Sequence, residues 1–167
     1  QTWGREGPWK IRVQEEVEAV RDGVGVLDLP GFSRFKLNGE GAAEYLRTKI
    51  AGALPKAGRM TLGYFPDSRG RILTEMSIMR HGEDDFTLIT AATAQWHDFE
   101  VLRDRTPADA AFTLTDVTTE FSCQILTGPK SRDVLADCSD ADLSLGWLTH
   151  QSAQIDGTWV QLVRVSF

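Results

Sequence analysis

The chain has 167 residues, 41% of them hydrophobic, which is enough for one domain with a real core or two small lobes sharing one, and too apolar for a disordered tail. A formal net charge of -6 and a pI near 5.0 argue against nucleic-acid and anionic-membrane partners, because both need a basic footprint. No apolar run is long enough to span a bilayer, and the start QTWGREGPWK is neither a signal h-region nor a transit peptide, so we expect a soluble, cytoplasmic chain.

Residues 1–16 read as an aromatic-rich arm and helix start, and 17–167 as the main domain. Trp3 and Trp9, set among Gly4, Gly7 and Pro8, suit an irregular segment packed by its aromatics onto a larger body. Over residues 11–22, Val13, Val17 and Val20 recur at helical spacing between glutamates, and Gly23 and Gly25 end the pattern. This predicts a surface helix with one buried stripe. Residues 24–29 read as a short buried strand or loop, 32–37 as a strand, and 42–50 as a helix with Ala42, Tyr45, Leu46 and Ile50 inward. Gly39-Glu40-Gly41 lacks the third glycine and the parallel unit of a dinucleotide fingerprint, so it is read as a turn before that helix.

The segment GRMTLGYFPDSRGRILTEMSIM, residues 58–79, reads as strand, turn, strand. Pro66-Asp67-Ser68-Arg69-Gly70 supplies a preset φ, an Asx bond and a permissive glycine, so the chain reverses there. On the return strand, alternation puts Ile72, Thr74, Met76 and Ile78 on one face and Leu73, Glu75, Ser77 and Met79 on the other. Glu75 is then a lone acid on a mostly apolar face, which we expect to be covered by another layer or a ligand. A strand carboxylate reaching solvent or pairing with an arginine is the bland alternative. Arg59, Arg69, Arg71 and Arg80 lie close in sequence to this hairpin, either as a solvated rim or as a local cationic patch.

Further on, residues 86–89 (FTLI) predict a buried strand, and Thr93 a cap for a helix over 94–105 with Trp96, Phe99 and Leu102 inside. Strands follow at 112–117 and 121–127. Pro129 suits the first position of a helix reaching Ala136, and a short helix is expected over 141–145. Asp156-Gly157 between two alternating runs predicts a tight primed hairpin, with strand character resuming at 165–167. Paired strands interrupted by helices make this an α+β fold with antiparallel sheets and packed helices. His81, His97 and His150 are scattered, so no metal site is expected, and neither a nucleophile elbow nor a phosphate-binding Gly-rich loop is present. Cys123 and Cys138 match no zinc or redox spacing and read as free thiols.

Four segments together resemble the folate-binding domain of the glycine-cleavage T protein (aminomethyltransferase) superfamily. They are VRDGVGVLDLPGFSRFKLNGEGAAEYL (20–46), GRMTLGYFPDSRGRILTEMSI (58–78), DDFTLITAATAQWHDF (84–99) and ILTGPKSRDVL (125–135). Within it, the likeness is greater to the C-terminal region of dimethylglycine and sarcosine dehydrogenases and oxidases. The simple transferases carry paired aspartates where this chain has Thr74-Glu75, an asparagine where Ala91 stands and a charged residue where His97 stands.

The resemblance implies ferredoxin-like subdomains, truncated before a C-terminal barrel that completes the folate pocket. It implies tetrahydrofolate as cofactor, a small methylated amine as substrate, and FAD only where an upstream flavin domain exists, in the same or another polypeptide. Glu75 then occupies the position of the family's essential acid, while Leu62, Tyr64 and Ala91 fall at or near its folate contacts. Leu62 replaces a folate-contacting tyrosine, with Tyr64 two places on, and Ala91 has no side-chain hydrogen bond to offer. The activity implied is methylene transfer to tetrahydrofolate. The alternative, kept open by Thr74, Ala91 and Leu62, is a non-catalytic folate-binding or scaffold domain of the same fold.

Overall fold

The computed structural model describes residues 6–165. Its centre is a five-stranded antiparallel sheet of β2 (Phe32–Gly39), β3 (Arg59–Pro66), β4 (Ile72–Gly82), β5 (Asp85–Ala91) and β6 (Phe112–Asp116), in spatial order β3-β4-β5-β2-β6. Period-two alternation sends Phe35, Leu37, Met76, Ile78, Phe86 and Leu88 to one face, all of them buried. Helices α2 (Ala42–Lys49) and α3 (Gln95–Arg103) close over that face. The expected α2 stripe of Ala42, Tyr45, Leu46 and Ile50 is the buried one. Tyr45 packs on Phe112 at 5.0 Å, and its hydroxyl donates to Leu102 O at 2.6 Å, which ties α2 to α3.

Local chemistry fixes the connections. Gly39 and Gly41 take positive φ values of 120° and 88°, and the Asp84 carboxylate caps α2 by accepting from Ala43 N at 2.7 Å and Gly41 N at 3.3 Å. In the β3–β4 turn, Asp67 accepts from Arg69 N, Arg71 N and Arg71 Nε. The backbone and side chain of Arg71 thereby hold the Asp67 carboxyl below the usual range. Both residues of the last turn, Asp156 and Gly157, have positive φ, giving the expected primed hairpin between β8 (His150–Ile155) and β9 (Thr158–Val163).

The rest of the chain is thinner than its sequence pattern suggests. Helix α1 (Trp9–Asp22) begins two residues earlier than expected, and Trp9 is half exposed on it rather than an arm anchor; Trp3 lies outside the described residues. Its valine stripe is not buried, because the neighbouring ribbon of β1 (Gly25–Asp28) and β7 (Gln124–Thr127) offers little to cover it. Val26 and Leu27, expected inside, are exposed. β7 starts later than expected and leaves Phe121 exposed, and Pro129 sits in the turn before α4 (Ser131–Cys138). No helix forms over 141–145; Asp142 Oδ1 instead accepts from Ser144 N at 2.9 Å and from its hydroxyl, an Asx turn that competes with helix. On α3, preceded by a 3-10 turn (Ala92–Ala94) holding Thr93 with no side-chain cap, Leu102 and Phe99 face the core as expected and Asp98 is buried beside them, while Trp96, expected inside, points out.

Candidate functional site

The face of the sheet away from α2 and α3 is the one that carries the acid. Alternation places Leu62 and Tyr64 of β3 there, with Leu73, Glu75, Ser77, Met79 and His81 of β4. The ladder makes the arrangement definite: Tyr64 stands opposite Glu75, Leu62 opposite Ser77, Ser77 opposite Ile89, and Phe32 opposite Ala91. Continuing the β4–β5 register past Ser77 and Ile89 brings Ala91 level with Glu75. Phe32, Ala91, Glu75 and Tyr64 therefore form one row across four strands, with Leu62 one row further in. Leu62, Tyr64, Glu75 and Ala91 thus share one face and one end of the sheet.

That face is covered at one end and open at the other. Met79 is 3% exposed near the end where the β8–β9 hairpin docks, while Leu73 is 37% and Leu62 46% exposed. The expectation that the whole Glu75 face is covered holds only for the Met79 end. Glu75 itself is exposed, and among the described residues no hydrogen bond or ion pair engages its carboxylate. The β4–β5 ladder stops at Ser77 and Ile89, so Leu73–Met76 pair only with β3, and Thr90–Ala91 only with β2. The sheet splits beside the acid.

The arginines do not form a patch around it. Arg71 pairs with Asp67, and Arg80 turns its guanidinium to the carbonyls of Gly82, Pro55 and Glu83. Arg34, on the open face, donates from Nη2 to Thr118 O at 2.7 Å. On the other side of the same end, Asp98 is fully buried, accepting from the Thr90 hydroxyl and lying 2.9 Å from His97 Nδ1. Two surface depressions, one along Val13, Val17 and Val20 and one near Asp140 and Asp156, lie away from Glu75. Among the described residues no cluster of His, Cys, Asp and Glu could hold a metal, and no helix is long and apolar enough to cross a membrane.

Phe32 is the row member that sequence reasoning missed. It opens a strand whose neighbour, β5, follows more than fifty residues later, so nothing local announces that it abuts Ala91.

The chain is 28% identical over 168 residues to mitochondrial dimethylglycine dehydrogenase of Mus musculus, covering 95% of this chain and 19% of that protein. It is 30% identical over 167 residues to sarcosine oxidase subunit alpha of Corynebacterium sp. (strain U-96), covering 93% of this chain and 17% of that one. It thus spans less than a fifth of the length of either relative. The crystal structure of glycine cleavage system aminomethyltransferase T from Bartonella henselae superposes with a TM-score of 0.73 at 25% identity, over 83% of this chain and 38% of that one. The antiparallel core with its two covering helices is therefore a T-protein fold. The GCVT N-terminal domain model matches residues 2–167, nearly the whole chain, and the chain belongs to that family.

Proposed function

We propose that this chain is the tetrahydrofolate-facing part of an enzyme that moves a methylene group off a methylated amine, with Glu75 as its acid. The observation that carries this is the row of Tyr64, Glu75, Ala91 and Phe32 at the open end of one sheet face, with Leu62 and Leu73 beside it. A flat apolar and aromatic surface with one carboxylate fits a reduced pterin on one side, so these residues would form one wall of its site.

Bound tetrahydrofolate would supply the nitrogen nucleophile that takes the one-carbon unit. Glu75 would stabilise the positive charge of an iminium, reached by loss of the leaving group from an aminomethyl donor in the transferase setting or by hydride loss from a methylated amine to a flavin in the flavoenzyme setting. Its carboxylate would accept the proton released when the tetrahydrofolate nitrogen attacks. Tyr64, directly across the ladder, would position that carboxylate and present an aromatic face. Leu62 and Phe32 would keep water off the same surface. The names of the relatives support two settings, an aminomethyltransferase and the folate module of a dimethylglycine- or sarcosine-oxidising flavoenzyme. Sequence family and fold are common to both.

The test is Glu75→Gln in the full polypeptide, reading 5,10-methylenetetrahydrofolate formed from tetrahydrofolate and an iminium-generating amine. We expect the yield to fall at least tenfold with tetrahydrofolate binding retained. Unchanged yield removes Glu75 from the chemistry. That no hydrogen bond or ion pair engages the Glu75 carboxylate among the described residues favours a second reading, a non-catalytic folate-binding domain, and that reading predicts binding without any turnover.

A further inference from the structure

We propose that the β8–β9 hairpin is a pH-responsive clasp, docked on the central sheet through two imidazoles that must both be uncharged and released when either takes a second proton. This rests on the hairpin interface and is independent of the proposed function. His81, near the end of β4, and His150, the first residue of β8, meet edge to face with ring centroids 4.8 Å apart. Around them the hairpin is tied on by main-chain bonds: His150 N donates to Gly58 O at 2.9 Å, Met60 N to Leu148 O at 2.9 Å, and Thr149 bridges Arg59.

Three of the four ring nitrogens are already engaged in neutral form, and His150 is only 7% exposed, so a charge on it would be buried. His81 Nε2 lies 2.8 Å from the Thr87 hydroxyl on β5, and its Nδ1 accepts from the Gln161 amide on β9 at 3.4 Å. His150 Nε2 donates to Arg80 O at 3.0 Å. A second proton on His81 Nδ1 would point at the Gln161 amide hydrogens and break the contact between strand and hairpin. It would also put like charge beside His150 and near Lys36.

The facing charged groups can be named element by element. Lys36 of β2 and Asp85 of β5 are paired with each other beside His81. Arg59 of β3 donates from its guanidinium to Trp147 O at 3.2 Å, Arg80 of β4 is spent on carbonyls, and Arg164 beyond β9 donates to Leu145 O. The one nearby acid, Asp85, is thus already paired with Lys36. Burial first, then Lys36 and His150, hold His81 down at about 4, against the opposing pull of Asp85. Burial likewise holds His150 below the ordinary imidazole value, against its bonds to the Arg80 and Arg59 backbone and to Gln161.

The sign follows from linkage. A base with a lower value docked than free binds more protons when the hairpin lets go, so docking is fully favoured above the free value of about 6.5 and weakens as the pH falls from there toward 4. At pH 5.5 His81 alone would shift the equilibrium toward release by up to about tenfold, and less to the extent that solvent screens it.

The test is amide hydrogen exchange on the full polypeptide at pH 7.5 and 5.5, each corrected for intrinsic rates. Protection over His150–Ile155 and Thr158–Val163 should fall about threefold to tenfold relative to β2 and β5, and the His81→Gln, His150→Gln double variant should lose that pH dependence. Equal protection at both pH values, or an equal fall in the double variant, overturns the proposal. Should the variant not fold, imidazole titration of the native protein by NMR decides: values below 6.5 for both rings support the clasp, and values at or above 6.5 end it.

Discussion

Gly63 sits on the core face of β3, between Leu62 and Tyr64 of the open face, and it is there because Ile78 leaves no room for anything larger. A Cβ at position 63 would lie 2.4 Å from Ile78 Cδ1 and 3.2 Å from its Cγ1, with Ile50 Cγ2 at 3.6 Å. Gly63→Ala should gain about 0.4–1 kcal/mol from a stiffer unfolded chain. Forcing Ile78 off its rotamer in a packed core costs about 1–3 kcal/mol, so the net is a loss on the order of 1–2 kcal/mol. For a domain of this size that lowers Tm by about 2–8 °C. Ile78→Val removes the Cδ1 atom and on its own costs about 0.5–1.5 kcal/mol. Urea denaturation of the four proteins of the cycle should show the double variant more stable than the sum of the single losses by about 1 kcal/mol. A neutral or stabilising Gly63→Ala, or strict additivity with Ile78→Val, would show that steric conflict with Ile78 is not why the position is glycine.

Asp98→Ala should cost about 3 kcal/mol in urea titration, because it strands the buried Thr90 hydroxyl and the His97 Nδ1 contact together. Asp98→Asn keeps an acceptor for Thr90 and should cost clearly less. Asp84→Ala should cost about 1–2 kcal/mol by uncapping α2, and Asp84→Asn about half of that, since the amide oxygen still accepts while the charge at the helix start is lost; thermal melts of the three proteins check the order.

What was legible in the sequence was what neighbours in the chain decide. Asp156-Gly157 and the Asp67 turn carry their own backbone conformations, and alternation along β4 sorted its residues onto the right faces. Periodicity along α1 located the helix but wrongly promised a buried stripe, because it cannot say what lies opposite, and the valines face a two-stranded ribbon too small to bury them. On α3, hydrophobicity nominated Trp96 for the inside, while the hydroxyl of Thr90 brought Asp98 there instead. The shared row of Tyr64, Glu75, Ala91 and Phe32 depends on the spatial order β3-β4-β5-β2, which no local pattern records. Resemblance supplied three of its members, and register supplied the fourth.

The parting of the ladder beyond Ser77 and Ile89 divides that row between two mechanical bodies. Tyr64 and Glu75 ride on one ribbon, fastened along its outer margin where Ala51 bridges Tyr64, and Ala91 and Phe32 ride on the other. Twisting of one ribbon against the other would leave the tyrosine and the acid at constant separation while the gap to the alanine widens or narrows. A molecule lodged across the seam would act as a wedge whose thickness sets that gap.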